Sequence, residues 1–204
     1  MLSPVKVVPD GVSFNFAVSV LAQSSETAMS DASASAEQVR AALETAGVAK
    51  DDIATQNISV YPEYASSSTG TQTLSGYRAQ QVFTVTLRDT AKAGEVVDSV
   101  IAAGGNSLQV YGVTPTLLDT DAAVAQAREA AIKSAKEKAK DYAGLVDEDL
   151  GSVVYITEIN SPSSPVPLMV GDAGSAELSM TKTVVNLGTQ EVSVTVEVRW
   201  SLED

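Results

Sequence analysis

The end of the chain carries the pattern that constrains the fold most strongly. Six apolar residues alternate with polar or charged residues from Val192 to Leu202. A period of two is typical of a β-strand that buries one face and leaves the other in solvent. This segment is therefore predicted to be a strand, and its apolar face needs a second layer of structure to cover it.

A similar strand and a long helix are predicted near the start of the chain. Apolar and polar residues alternate from Val12 to Val20, and apolar residues then recur at spacings of three and four. Gly47 is placed to end this helix in a left-handed conformation. The predicted apolar stripe consists of Met29, Ala32, Ala36, Val39, Leu43 and Ala46.

The later elements repeat the order of the earlier ones. Strand, helix, strand, loop and strand occur twice, which predicts two related halves of one domain, at 5–89 and 106–204, with a linking helix at 90–105. A single domain without duplication is the alternative, because no residue-level identity supports the repeat. Either arrangement predicts an α+β fold in which three helices pack on a largely antiparallel sheet. Strands are assigned to 12–20, 51–64, 77–87, 108–118, 153–159 and 192–202, and helices to 29–46, 90–103 and 120–143. The strands at 51–64 and 77–87 are predicted to form a hairpin with a long loop.

Composition excludes several classes of function. The chain has 26 acidic and 13 basic residues, and this negative charge repels the phosphates of nucleic acids and anionic lipid headgroups. Cysteine and histidine are both absent, which rules out disulfides, thiolate or histidine catalysis and Cys/His metal sites. No cofactor is predicted. No apolar stretch approaches the roughly 18 to 20 residues of a membrane-spanning helix.

The long third helix has an alanine at every fourth residue, which makes a smooth ridge. Small side chains let another backbone approach closely, so the ridge is a candidate interface. The ridge is equally consistent with packing on the chain's own sheet, or simply with the high helix propensity of alanine. The candidate interface residues are Ala127, Ala131, Ala135 and Ala139.

A second candidate interface lies in the segment 160–188. This connection is unusually long for a compact domain, and it contains an apolar cluster in polar surroundings. Docking on a neighbouring subunit or another protein is one interpretation, and plain disorder is the other. The candidate contact residues are Pro165, Val166, Pro167, Leu168, Met169 and Val170.

Patterns that indicate catalysis or metal binding are weak. Ser179 and Lys182 fit the Ser-x-x-Lys pair of serine acyl enzymes, but Ser-Asp-Asn is absent and Lys182 is followed by Thr-Val. The acidic residues 147–149 lack the further ligands of a calcium loop. No particular carboxylate pair indicates glycoside hydrolysis. The chain is therefore predicted not to be an enzyme, and no catalytic, cofactor or metal residues are assigned.

Motifs along nearly the whole chain resemble the SIMPL-domain family. The resemblance implies a bacterial protein of the periplasm or cell envelope, and some members form oligomers, carry a lipid anchor, take part in stress responses or are immunodominant surface antigens. It implies no catalytic residues. An export signal or lipid-anchored segment is then expected to precede this chain, and a cytoplasmic protein is the alternative. The motifs include Pro9-Asp10, Gly47-Val48, Tyr61-Pro62-Glu63-Tyr64, Gly76-Tyr77-Arg78-Ala79, Ala143-Gly144, Leu150-Gly151-Ser152-Val153 and the closing strand.

The sequence thus predicts an exported, non-enzymatic envelope protein that self-assembles as a homo-oligomer and contacts other envelope proteins, in envelope or stress maintenance. The alternative is a small-ligand binding module with a pocket between helices and sheet. A hydrolase is a third class, and an acyl-reporter assay of a Ser179 variant would test its serine form. Nucleic-acid partners and a membrane span within this chain are not expected.

Overall fold

A computed structural model describes residues 2–66, 72–159, 166–167 and 183–203. These residues form three α-helices and antiparallel strands, so the predicted α+β class is confirmed. The strands form two sheets, whereas the sequence predicted a single sheet. No pairing joins the two sheets among the described strands. In chain order the elements are β1 (Leu2–Val7), β2 (Gly11–Ala22), α1 (Ser25–Thr45), β3 (Ile53–Ser66), β4 (Gln72–Leu87), α2 (Ala93–Gly104), β5 (Leu108–Thr116), α3 (Thr120–Gly144), β6 (Asp149–Ile159), β7 (Val166–Pro167) and β8 (Gln190–Glu203).

The chain divides into two compact units, each with one sheet. The larger unit contains β2, α1, β3, β4, α2 and β5, and the smaller unit contains β1, α3, β6, β7 and β8. Strand β5 pairs with β2 in the larger unit, although the repeat placed it at the start of the second half. In the first half β2 pairs with β4, so the repeat predicts that β5 pairs with β8. In the structure β1 pairs with β8 instead. The duplication itself stays a prediction.

The larger unit is built around three phenylalanines. Its sheet has the order β3-β4-β2-β5, and α1 packs on β2 and β4 and contacts α2. Strand alternation turns Phe14, Phe16 and Phe83 to the helix side, where each is at most 1% exposed. The ring centroids of Phe14 and Phe16 are 5.0 Å apart, and those of Phe16 and Phe83 are 5.2 Å apart. This aromatic cluster forms the centre of the unit's core.

Helix α1 follows its predicted pattern except at both ends of the stripe, since Ala46 lies just after the helix and is only partly buried. Ser24 caps the N-terminus, where its hydroxyl oxygen accepts a hydrogen bond from the Thr27 N–H at 3.1 Å. Gly47 follows the helix with a φ of 90°, the left-handed conformation predicted for it. At the first buried turn Ala28 is fully buried, whereas Met29 is only partly buried. The buried residues are Ala28, Ala32, Ala36, Val39 and Leu43.

The smaller unit packs one helix on one sheet. The sheet has the order β1-β8-β6, with β7 also paired to β8, and α3 contacts β8, β1 and β6. Asp119 caps α3, and its carboxylate accepts a hydrogen bond from the Ala122 N–H at 3.1 Å. The predicted strand from Val192 to Leu202 lies within β8, which pairs with strands on both sides along part of its length.

Candidate functional site

The alanine ridge of α3 lies inside the smaller unit. Ala127 and Ala131 have no exposed surface and Ala135 is 8% exposed, whereas Ala139 is partly exposed. The first three residues therefore pack on the chain's own sheet, as one interpretation of the sequence predicted. Only Ala139 in this group retains surface for contact with another molecule. The buried ridge packs against Val192, Val194 and Val196 of β8.

The second predicted interface falls mostly outside the described residues. Val166 and Pro167 form β7, whose backbone pairs with Glu191 and Gln190 of β8. The other four predicted contact residues and the Ser-x-x-Lys pair lie outside the part of the chain that the structure describes. They are Pro165, Leu168, Met169, Val170, Ser179 and Lys182.

Strand β8 is longer than the strand beside it. The six residues of β1 pair with β8 only from Gln190 to Thr195, where Leu2 is the partner of Thr195. Strand β8 continues to Glu203, and β6 accompanies this later stretch on the opposite edge. Among residues 2–66, 72–159, 166–167 and 183–203, no strand lies on the β1 side from Glu197 onward. From Glu197 to Glu203, the described pairing of β8 is therefore with β6.

A cavity of about 430 Å³ lies between the second half of α3 and the same stretch of β8. Val198 and Trp200 of β8 and Ala139 of α3 give it an apolar lining, and Trp200 is the single tryptophan of the chain. A volume of this size is typical of binding cavities, which are mostly apolar with a few polar groups. The complete lining consists of Ala135, Lys138, Ala139, Tyr142, Ile159, Val196, Glu197, Val198 and Trp200.

One charge of each sign lines this cavity. The ammonium of Lys138 lies 5.6 Å from the ring centroid of Tyr142, within the range of a cation–π contact. The carboxylate of Glu197 accepts a hydrogen bond from the Tyr155 hydroxyl, and this bond raises the pKa of Tyr155. The cavity thus combines an apolar lining with a balanced pair of charges, and it suits an uncharged apolar occupant better than an ion.

Large apolar side chains are exposed directly after α3 and along β6. We call Leu145, Val146, Val153, Val154 and Ile156 the apolar patch; their exposed fractions run from 50% for Val153 to 78% for Leu145. Single exposed apolar residues are common, but several in one short stretch are typical of contact surfaces. The patch is therefore a candidate surface for contact with another protein chain.

The larger unit carries an arginine network that joins three strands. The guanidinium of Arg78 on β4 donates hydrogen bonds to both carboxylate oxygens of Glu63 on β3, with 2.9 Å between Nη2 and Oε1. It also donates to the Ser19 hydroxyl on β2 at 3.2 Å. The hydrogen bonds from Arg78 hold the pKa of Glu63 below its ordinary value. The network links neighbouring strands, and nothing in its geometry identifies a reacting group.

Replacement of Glu63 by Gln should make the fold less sensitive to acid. Because the folded-state pKa of Glu63 lies below its ordinary value of 4.5, the carboxylate stabilises the fold above that pH, and the contribution is lost as pH falls through the folded pKa. Urea unfolding at neutral and stepwise lower pH measures this. The free energy of unfolding should fall less steeply for Glu63→Gln than for the wild type and the control Glu129→Gln. Equal acid dependence in all three would contradict the prediction.

Two further cavities lie in the larger unit. One, of about 480 Å³, lies between α1 and α2 and is lined by residues including Ala42, Thr45, Lys92 and Ser99. The other, of about 230 Å³, is lined in part by Asp52 and Arg88. Arg88 donates to Asp52, with 2.8 Å between Nη2 and Oδ1, and this hydrogen bonding lowers the pKa of Asp52.

Neither a metal cluster nor a membrane-spanning helix is present in the described residues. Within them, no three or more Asp, Glu, His or Cys side chains are grouped so that they could hold a metal ion. No described helix is both long and apolar enough to span a membrane. The acidic residues 147–149 lie at the turn from α3 to β6, where Asp147 has a φ of 61°.

The described residues thus define a protein of the α+β class with two units, each built on an antiparallel sheet. Residues 3–200 match the SIMPL family, described as a protein of unknown function (DUF541). The chain belongs to this family, as the sequence motifs predicted.

Comparison with curated proteins gives relatives in several bacteria. The chain is 33% identical over 172 residues to "Uncharacterized protein YggE" of Escherichia coli (strain K12), which covers 83% of this chain and 69% of that protein. It is 28% identical over 170 residues to the "26 kDa periplasmic immunogenic protein" of Brucella melitensis, which covers 80% of this chain and 66% of that protein. The name of the Brucella relative gives its compartment as the periplasm. The name of the Escherichia coli relative states neither a compartment nor an activity.

Proposed function

We propose that this SIMPL protein is a non-enzymatic component of the bacterial cell envelope that acts through self-assembly and contacts with other proteins. The observation that carries the proposal is the apolar patch, with two exposed side chains directly after α3 and three within β6. Its five large side chains are each at least half exposed in the isolated chain. Burial of such surface against a second chain is favourable by about 25 cal/mol per Å² of apolar area.

Two further observations support a non-enzymatic role in the envelope. The chain has neither histidine nor cysteine, so the commonest general base and the thiolate nucleophile are missing. The name of the Brucella relative gives its compartment as the periplasm, and we propose the same compartment for this chain. The residues Pro165 to Val170, which the sequence predicted as a contact segment, form part of the same proposal.

Replacement of Val154 by Asp tests the role of the apolar patch in assembly. Val154 is 59% exposed, so the substitution leaves the folded chain intact, but it would place an unpaired carboxylate in the proposed interface. Association should become at least about tenfold weaker in sedimentation experiments over a range of concentrations. Val8→Asp is the matched control, since Val8 is 62% exposed and lies outside the patch. Equal weakening in both variants, or in neither, would contradict the role of the patch.

Small-ligand binding is the second candidate function, and the cavity between α1 and α2 supports it. A ligand that binds the native state raises the melting temperature by mass action. A thermal-shift screen with envelope metabolites therefore tests this candidate. Ala42→Leu, which extends a side chain into the cavity, should abolish any shift that arises there. A shift that survives in the variant would place the ligand elsewhere.

A further inference from the structure

We infer that the larger unit binds an uncharged saccharide chain on the face of its sheet opposite α1, in a shallow groove beside an exposed tyrosine. The inference goes beyond the proposed function, because the apolar patch lies in the smaller unit. None of the groove residues lines the cavity between α1 and α2. We call this surface the polar face, and it consists of Asn15, Ala17, Gln80, Gln109, Tyr111 and Gly112.

The first support is the β-bulge that places Tyr111. Strand β5 pairs with β2, and the register shifts between Asn15 and Phe16. Asn15 pairs with Gly112 and Phe16 pairs with Val110, so Tyr111 is the extra residue of β5. A bulge redirects the side chain of the extra residue. The Tyr111 side chain is 55% exposed, so its ring is accessible to a ligand.

Hydrogen bonds hold the Tyr111 ring over the polar face. Gln81 of β4 donates to Ser33 of α1, so the neighbouring Gln80 directs its side chain to the opposite face of the sheet. Nε2 of Gln80 donates to the Tyr111 hydroxyl oxygen at 2.7 Å and to Oε1 of Gln109 at 3.4 Å. These bonds cross β2, which lies between β4 and β5. The groups are therefore positioned before a ligand arrives, which lowers the entropy cost of binding.

The second support is the open space beside this ring. A Cβ atom at Gly112 would meet no atom within 4 Å, and Gly112 pairs with Asn15 of β2. The Asn15 amide accepts a hydrogen bond from the Thr84 hydroxyl at 2.7 Å and donates one to the Ser13 hydroxyl at 3.3 Å. A glycine next to an exposed tyrosine thus makes a shallow groove, and amide and hydroxyl groups surround it.

The third support is the charge of this sheet. In the whole chain 19% of the residues are charged, and the net charge is -13. The four strands of the sheet have 12, 14, 16 and 9 residues, and the only charged residues in these described strands are Arg78 and Glu63. These two side chains form an ion pair with each other. The strands therefore offer a charged ligand no unpaired opposite charge, which favours an uncharged ligand.

The chemistry of the polar face matches a saccharide. Side-chain amides and hydroxyls both donate and accept hydrogen bonds, as the hydroxyl groups of a sugar do. The Tyr111 ring offers an apolar surface with a polar tip, on which the C–H face of a sugar ring can stack. A partner protein would need a more apolar centre of contact. Ala17, at the centre of the polar face, has no exposed surface.

Isothermal titration calorimetry of the full chain tests the inference with two uncharged probes. Chitotetraose is a linear tetramer of N-acetylglucosamine, and cellotetraose is the corresponding tetramer of glucose. We expect saturable binding of at least one of them, and added salt should change the affinity less than about twofold because no ion pair forms with the ligand. No saturable binding of either tetrasaccharide would overturn the inference.

A tyrosine variant locates the binding. Tyr111→Ala removes the stacking surface and should weaken tetrasaccharide binding at least about tenfold. Tyr142→Ala is the matched control, since Tyr142 is 59% exposed and belongs to the smaller unit. The control should bind as the wild type does. Equal binding by the wild type and Tyr111→Ala would overturn the assignment.

A glycine variant tests the groove itself. Gly112→Leu fills the open space and should also weaken binding at least about tenfold, while the absence of neighbours within 4 Å lets the fold accept the side chain. Gly144→Leu is the control, because a Cβ at Gly144 likewise meets nothing within 4 Å. Circular dichroism establishes that both variants retain the fold. Unchanged affinity in Gly112→Leu would overturn the assignment to this groove.

Two measurements separate this inference from the functions proposed above. Ala42→Leu, in the cavity between α1 and α2, should bind the tetrasaccharide as the wild type does, and a loss of binding would contradict the polar face. Light scattering should give the same mass for Tyr111→Ala and the wild type. A change of mass without a change of affinity would make the polar face a contact between protein chains and overturn the inference. An oligomer that binds no saccharide contradicts this inference alone, whereas a monomer that binds it contradicts self-assembly alone.

Discussion

Replacement of Phe83 by Ala should lower the free energy of unfolding by about 3 to 5 kcal/mol, the range for truncation of a buried phenylalanine. Phe83 is 1% exposed and stacks on Phe16 in the core of the larger unit, while the guanidinium of Arg40 lies 5.1 Å from its ring centroid. The substitution removes these contacts and leaves a cavity. Urea denaturation monitored by circular dichroism measures the effect.

The matched control for this prediction is Tyr64→Ala. Tyr64 belongs to the same sheet but is 55% exposed, so its removal should change the free energy of unfolding by less than about 1 kcal/mol. A small effect at Phe83, or similar effects at both positions, would mean that the aromatic cluster is not the centre of the core. The assignment of the larger unit's core would then be wrong.

Replacement of Ala131 by Leu should destabilise the smaller unit by about 1 to 3 kcal/mol through overpacking. Ala131 has no exposed surface, and its neighbours include Val194 in the core between α3 and β8. A larger side chain must separate the helix from the sheet or adopt a strained rotamer. Urea denaturation followed by Trp200 fluorescence reports on this unit.

The control for the ridge is Ala125→Leu, on the same helix at an exposed position. Its effect on unfolding should be within about 0.5 kcal/mol, the usual range for surface substitutions. If Ala131→Leu leaves stability unchanged and instead alters the oligomeric mass, the ridge is an intermolecular interface. That result would contradict the packing described for the smaller unit.

Local periodicity determines which elements could be predicted from the sequence. The stripe of α1 from Ala32 to Leu43 and the alternation in β8 each depend on residues close in the chain, and the structure confirms both. The sequence predicted Met29 in the stripe, whereas Ala28 is the buried residue, because small and large apolar residues both extend a periodic stripe. Available space at the sheet, which local sequence does not encode, decides which of them is buried.

Sheet partners were harder to predict, because pairing depends on contacts distant in the chain. The pattern of β5 shows that it is a strand but does not show that Phe14 pairs with Val113 rather than with a residue of the smaller unit. The alternation in β8 likewise does not show that β8 pairs with β1 and β6. The cavity that Val198 and Trp200 line therefore required the structure.

The sequence contains a signal for the ion pair of Arg78 and Glu63, although the sequence analysis did not predict this pair. The predicted hairpin brings the two strands together, and its register pairs Tyr61 with Arg78. Glu63 is then a diagonal neighbour of Arg78, within reach of a long side chain. Cross-strand pairing of opposite charges in a predicted hairpin would have identified this contact before the structure was known.

Absolute mass in solution tests the central claim, self-assembly, most directly. Light scattering after size exclusion should give a stable value several times the chain mass of 21.1 kDa, retained over a wide range of concentrations. Added salt should not dissociate the oligomer, because salt screens the repulsion between chains of net charge -13. A mass of 21.1 kDa at every concentration would contradict self-assembly and favour the alternative of small-ligand binding.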